Sequence, residues 1–395
     1  MSTGIYISVP FCKTKCSYCN FASGVFSKQV FKRYVDRVVE DVELFPTRVT
    51  QMGGELETHV DSIYLGGGTP TLLEPDQLKR LFAAVHSMFA VQTPAEVTVE
   101  CAPGTLTSEV IHTLLECGAN RVSLGVQSFI DKEASSVARL HTRQITFDEI
   151  ERLRTAGIHN INIDLIAGLP HQTRESWEES LSITIDTGVP HASVYMLEVD
   201  EDSRLGRELI AGGTKYHAHF VPDDDLTAGL YERACDRLSS AGIKQYEISN
   251  FSRTGSESIH NLKYWTRQPY LGFGVDAHSM LAATSEDLDA VRFATSDDLE
   301  QFVSDASPSR TPVTHEQAIE EAFFLGLRLV AGVDLFELAE RYGTAATIAF
   351  REELAEMATA GLVEVEEGCV RLTNRGRLLS NEVFARFIGE VPRPS

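Results

Sequence analysis

From residue 4 to about residue 200 the chain repeats one unit: a short run of strand-forming residues, a loop, a helix-like stretch, often a glycine, then the next strand. Strands are predicted near 4–9, 61–66, 96–101, 121–126, 160–166 and 192–197, with helical patterns such as Lys28–Phe45 and Asp76–Phe89 between them. Strand and helix alternating in this way imply parallel βαβ units, which confines this part of the chain to the α/β class. Gly118, Gly157 and Gly188 each follow a helical stretch and precede a strand, where a left-handed cap suits a residue without a side chain.

The strands carry a second constraint. Val97 and Val99 alternate with Glu96, Thr98 and Glu100; Val122, Leu124 and Val126 with Ser123, Gly125 and Gln127; Ile161, Ile163 and Leu165 with Asn160, Asn162 and Asp164. A flat parallel sheet covered by helices on both sides would need two apolar faces. One polar face therefore predicts a partial (β/α)6 barrel of TIM-like kind, whose outer face packs on helices while its inner face lines a polar lumen.

Beyond residue 200 the rhythm weakens. The helix-like stretch from Asp223 ends near Gly242, a strand-like Lys244–Phe251 follows, and a loop rich in Ser, Gly and aromatics runs to about 280. Residues 281–314 are polar and read as a linker with short structure. From His315 helices lead to a hairpin at Leu362–Glu366 and Cys369–Leu372 and then a last helix, the pattern of a small winged-helix-like α+β domain. The division predicted is a core barrel over 1–235, an extension over 236–314 and a C-terminal domain over 315–395.

A formal charge of −22 repels phosphate backbones, which excludes general nucleic-acid binding. No apolar run has membrane-spanning length and the first residues lack a secretory signal pattern, so a soluble cytoplasmic protein is predicted. Seven cysteines are an odd number for a disulfide framework, and three of them, Cys12, Cys16 and Cys19, fall within eight residues. Three thiolates can hold three irons of a [4Fe-4S] cubane and leave the fourth iron open to a ligand. Zinc is the competing reading, but it would need a fourth ligand, and no further Cys or His lies near this loop. Cys101, Cys117, Cys235 and Cys369 stand alone and read as fillers of small apolar spaces.

The Cys12-x-x-x-Cys16-x-x-Cys19 loop, with Tyr18 before its last cysteine, resembles the radical S-adenosylmethionine (SAM) superfamily. In that family the amino and carboxyl groups of SAM chelate the open iron, and the reduced cluster cleaves the sulfonium to a 5′-deoxyadenosyl radical. The run Leu65-Gly66-Gly67-Gly68-Thr69-Pro70 after the second strand resembles the family motif that binds the methionyl amino group, which assigns Gly67, Gly68 and Thr69 to SAM. Similarity to oxygen-independent coproporphyrinogen III oxidases and their relatives implies further SAM contacts at Tyr6, Tyr18, Glu100, Gln127, Arg139 and Asp164. The strand pattern independently puts Glu100, Gln127 and Asp164 on the lumen face near C-terminal strand ends, where barrel active sites sit.

Two features separate those relatives. The oxidases typically carry a fourth cysteine two residues after the third, where this chain has Phe21, and an extension before the first strand, which here begins at Gly4. His260-Asn261-Leu262-Lys263-Tyr264-Trp265 is similar to the His-Asn-x-x-Tyr-Trp motif of the HemW haem chaperones. That resemblance implies haem as ligand, with His260, Asn261, Tyr264, Trp265 and the alternative His278 as binding candidates, and Lys263 and Arg267 as partners for propionates. From the residues alone, a histidine and two aromatics packing a loop on the barrel is the competing reading. The resemblance further implies a haemoprotein acceptor, a respiratory membrane protein among the candidates, a protein reductant, peripheral placement at the membrane through a partner, and a homodimer as an open alternative. The alternative function is that of the decarboxylating oxidase.

Overall fold

A computed structural model describes residues 2–304 and 307–388. Six parallel strands form the centre: β1 (Thr3–Val9), β2 (His59–Gly67), β3 (Ala90–Cys101), β4 (Arg121–Gln127), β5 (Asn160–Ala167) and β6 (His191–Met196), neighbours in that order. The crossovers carry α1 (Lys28–Met52), α2 (Pro75–Met88), α3 (Ser108–Glu116), α4 (Asp131–Ser136), α5 (Arg143–Thr155) and α6 (Arg174–Asp186). The expected partial barrel is therefore present, and Gly118, Gly157 and Gly188 have the left-handed φ expected of helix caps.

Alternation along the strands sorts the two faces. Ile5, Ile7 and Val9 of β1, Ile63 and Leu65 of β2, Val97 and Val99 of β3 and Ile161, Ile163 and Leu165 of β5 are buried in one apolar core with Val35, Val38 and Val42 of α1 and Leu78, Leu81 and Phe82 of α2. The opposite face is polar. Helix α1 runs seven residues beyond Phe45 although Pro46 lies inside it. Proline removes one backbone donor, but Val49 beyond it is fully buried in the core, and that burial holds the last turns in place.

The segment after residue 200 departs from expectation. After α7 (Arg204–Ala211) and α8 (Asp224–Ser240), strands β7 (Lys244–Glu247) and β8 (Asn250–Ser252) add antiparallel to β6 at one edge of the sheet. Helix α9 (Ile259–Trp265) follows, then β9 (Tyr270–Gly274) pairs parallel to β1 at the other side. The stretch read as a linker forms β10 (His278–Ala282), β11 (Ala290–Ala294) and β12 (Ser309–Val313), which extend the sheet antiparallel to twelve strands among the described residues. β12 is the edge strand with four of its five residues exposed, whereas β10 and β11 lie inside the sheet with Leu281, Val291 and Phe293 buried.

From His315–Gly326 onward a second apolar core gathers Phe323, Leu327, Leu338, Leu354, Met357, Val370, Val383 and Phe387. The hairpin Val363–Glu366 with Cys369–Leu372 is present and pairs with Val333–Asp334, as a winged-helix-like unit requires. Among the described residues no helix is long and apolar enough to cross a membrane.

Candidate active site at the C-terminal mouth of the barrel

The cysteine loop leaves the C-terminal end of β1 and is pinned on three sides. Cys12 N–H donates to Gly24 O at 2.8 Å, Ser17 N–H to Val137 O at 3.3 Å beyond α4, and Leu205 N–H of α7 to Ser17 O at 2.9 Å. Cys16 is buried, Cys12 and Cys19 are half-buried, and none is in a disulfide. Cys19 Sγ lies 3.9 Å from Ser23 Oγ, and Arg139 Nη1 donates to Cys16 Sγ at 3.5 Å. Burial, with Cys19 and Cys16 nearby, pushes the Cys12 thiol up despite a hydrogen bond to Ser23. Among the described residues no three Cys, His, Asp or Glu converge on a single ion. A cubane asks for a different arrangement, because each of its three thiolates takes a different iron.

The glycine run turns back on this loop. Gly68 N–H donates to Val9 O and Thr69 N–H to Phe11 O, each at 2.7 Å, and a Cβ on Gly68 would stand 2.6 Å from Phe11 O. The close approach at Gly68 is thus to the backbone leading into Cys12. Gly67, at φ +101°, donates its N–H to Glu100 Oε2 at 3.0 Å. Gly66 faces the lumen: a Cβ there would meet the Tyr64 ring at 2.9 Å and Glu100 Oε1 and the Tyr6 ring at 3.0 Å.

The lumen residues meet as the strand pattern implies. Tyr64 OH donates to Glu100 Oε1 at 2.9 Å. Asp164 accepts from Ser123 Oγ at 3.0 Å and from Asn162 Nδ2 at 2.7 Å. Arg139 and Gln127 converge over Gly125, where a Cβ would lie 2.9 Å from Arg139 Nη2 and 3.2 Å from Gln127 Nε2. Arg139 also donates to Gly125 O, and Gln127 holds a left-handed φ of +68° at the end of β4. Burial, followed by the charge of Asp164, raises Glu100 to about 7, and burial raises Asp164 too. Two desolvated carboxylates beside one guanidinium suit a ligand that brings its own cation and hydroxyl donors. Ser123 and Asn162 lie on faces that the alternation marked as polar without being site candidates, whereas Ser62 and Tyr64 of β2 carried no such signal.

The His-Asn-x-x-Tyr-Trp segment lies elsewhere. β8 ends opposite His191, the first residue of β6, and β9 begins opposite Gly4 at the start of β1, so residues 253–269 cross the N-terminal end of the barrel. His260 is 1% exposed, with Nδ1 3.1 Å from Ser62 Oγ and Nε2 2.9 Å from Tyr264 OH. Both ring nitrogens are engaged, one by Ser62 and the other by Tyr264. Tyr264 packs edge-on against Tyr270 at 4.6 Å and Trp265 lies under the Arg328 guanidinium at 4.2 Å; half-buried Asn261 donates its backbone N–H to Ser258 Oγ at 3.3 Å. Lys263 is paired with Asp61 at 2.8 Å, and Arg267 donates to Glu321, Asp289 and Tyr342, leaving no cation for propionates. His278 is the exception: it opens β10 beside Gly272 with its side chain 64% exposed, at the same end of the sheet as the cysteine loop.

Residues 6–183 match the model of the radical SAM superfamily and residues 313–379 that of the HemN C-terminal domain. The chain is 35% identical over 390 residues to heme chaperone HemW of Bacillus subtilis, covering 98% of this chain and 99% of the relative. The chain belongs to the HemW family of radical SAM proteins. The Escherichia coli heme chaperone HemW is 28% identical over 388 residues, with 98% of each chain covered. The solved structure of Escherichia coli coproporphyrinogen III oxidase (HemN) shares the fold, with a TM-score of 0.81 at 23% identity over 98% of this chain and 90% of that one. Radical SAM membership brings SAM and a [4Fe-4S] cluster as cofactors. The residues fit both: three undisulfided cysteines share one pinned loop, and the Glu100–Asp164–Arg139 lumen opens beside it.

Proposed function

We propose that the chain is a haem chaperone that binds haem and SAM, carries a [4Fe-4S] cluster on Cys12, Cys16 and Cys19, and passes haem to acceptor haemoproteins. The observation that carries this reading is full-length similarity to proteins named heme chaperone HemW, at 35% identity with 99% of the relative covered. Coproporphyrinogen oxidation is disfavoured by Phe21, which stands 62% exposed where the oxidases typically carry a fourth cysteine.

In this reading Arg139 holds the Cys16 sulfur and the SAM carboxylate, Glu100 and Asp164 take its amino group and ribose hydroxyls, and Gln127, Tyr6, Tyr18, Gly67 and Thr69 complete the walls. The reduced cluster supplies an electron to the sulfonium when both cofactors are bound. With the His-Asn-x-x-Tyr-Trp candidates enclosed, His278 is, of the named candidates, the accessible imidazole on the cluster side for haem iron. The acceptor includes membrane haemoproteins met through peripheral contact, and the cluster takes its electrons from a protein reductant.

The test is anaerobic, cluster-loaded protein titrated with haem and mixed with an apo-acceptor, with coproporphyrinogen III decarboxylation assayed in parallel. A Soret band that moves to the acceptor, without decarboxylated product, is the expected result. Product formation without haem binding would replace the chaperone reading by the oxidase.

A further inference from the structure

The histidine motif forms a plug whose contacts reach the SAM site. Glu96, on the lumen side of β3, accepts from the backbone N–H of Ile259 at 3.2 Å and of His260 at 3.0 Å, and from Ser258 Oγ at 3.4 Å. Arg121, 2% exposed, sits 3.8 Å from Glu96 and donates to Ser256 O at 2.9 Å. The start of α9 is thereby fixed inside the bottom of the barrel. Gly4 lacks a side chain where one would strike Lys263 Cδ at 2.9 Å and His260 Nδ1 at 3.1 Å, so the imidazole seats directly against β1 and β2.

Above the imidazole lie Tyr64 and Tyr6, with ring centroids 5.3 and 6.2 Å from that of His260. Their own separation is 5.9 Å. Tyr64 carries its hydroxyl to Glu100, and Glu100 accepts from Gly67 N–H in the glycine run. One unbroken set of contacts therefore leads from Ser62 and Tyr264 through His260 and Tyr64 to the carboxylate of the ligand site. Close-packed interiors do not absorb a missing ring without moving its neighbours.

We propose that His260 is a positioning residue of the SAM site, acting through Tyr64 on Glu100, and not an iron ligand. The proposal rests on the reading that SAM occupies the lumen. The titratable groups facing Glu100 are Asp164 across the lumen and Tyr6, Tyr64, Tyr195 and Tyr264, with Arg139 beyond Asp164. Loss of the Tyr64 hydroxyl bond withdraws support from the ionised carboxylate, so the midpoint of any pH-dependent SAM binding moves up.

The experiment is a double-mutant cycle on full-length, cluster-loaded protein, with SAM affinity measured by calorimetry from pH 6 to 9 and haem binding followed by the Soret band. His260→Ala and Tyr64→Phe are each expected to weaken SAM about 10-fold and to raise the pH midpoint, and the double variant to be no weaker than the poorer single. His260→Gln, which keeps a donor and an acceptor for Ser62 and Tyr264, should recover most of the loss, and the haem spectrum should match the parent in every variant. Additive losses, or a lost haem band with unchanged SAM affinity in His260→Ala, would overturn the proposal. If His260→Ala does not load its cluster, Tyr264→Phe replaces it in the same cycle, with a loss of about 3-fold expected and additivity again decisive. A parent protein that binds no SAM would defeat the underlying reading instead.

Discussion

Replacing Glu100 by Gln should stabilise the SAM-free protein at alkaline pH and leave it unchanged in acid. Burial and Asp164 raise this carboxyl to about 7 in the folded chain, whereas in the unfolded chain it titrates near 4.5. Between these values the folded form binds the extra proton, so stability falls as pH rises, and the full cost stands above pH 7. A difference of about 2.5 units corresponds to about 3 kcal/mol at pH 8, with little or none left at pH 4.5. Gln has nearly the same shape and offers an oxygen to Gly67 N–H and an amide donor to the Tyr64 phenol oxygen, so the two existing contacts survive the change.

For a chain of 395 residues, a gain of about 3 kcal/mol corresponds to about 4 °C in thermal midpoint. Thermal unfolding of cluster-loaded parent and Glu100→Gln, run side by side at pH 5, 6, 7 and 8, would show the two curves diverging as pH rises. The same variant should bind SAM 10- to 100-fold more weakly at pH 8, about the worth of one hydrogen bond to a charged group. A stability difference independent of pH would refute the reasoning, since it would mean that Glu100 is not the group titrating in this window.

Triple substitution of Cys12, Cys16 and Cys19 by Ala should remove the cluster absorbance and its iron, while Ala at Cys101, Cys117, Cys235 and Cys369 together leaves both near parental levels. Gly68→Val should lose cluster and SAM binding together, because its Cβ meets the Val9 and Phe11 backbone at 2.6 to 2.9 Å; Gly66→Ala, whose Cβ meets only side chains, should weaken SAM in calorimetry with iron content retained. Arg267→Met should destabilise the chain by about 3 kcal/mol in denaturant unfolding, since Asp289 loses its guanidinium partner and Glu321 is left with Arg292.

The barrel and its mouth were legible because their signals are local. Strands β3, β4 and β5 each announce their two faces by local alternation, and the cysteine loop is contiguous in the chain. What escaped notice depends on distant partners. Ser62 is an ordinary strand residue until His260, 198 positions later, brings an imidazole to 3.1 Å. The strand β12 escaped for another reason: Ser309–Val313 reads Ser-Arg-Thr-Pro-Val, four of its five side chains are exposed, and an edge strand of that kind has no apolar alternation to announce it.

The same distinction explains how the family motif can be read from its residues without its place in the fold. A histidine followed by two aromatics is chemically able to hold haem, and the composition of the segment cannot say whether those rings face a ligand or each other. Topology decides it. Because β8 runs down to the start of β6 and β9 starts beside the start of β1, the connection must cross the closed end of the barrel, opposite the cysteine loop. There the polar lumen face is still uncovered, and Glu96 and Arg121 would be buried without partners unless something supplied backbone donors and acceptors. Helix α9 supplies them, and its far end meets the C-terminal domain through Trp265 under Arg328 and, just beyond, Arg267 on Glu321. The motif thus joins the floor of the barrel to the domain packed beneath it, a place where an exact set of side chains is needed for packing alone.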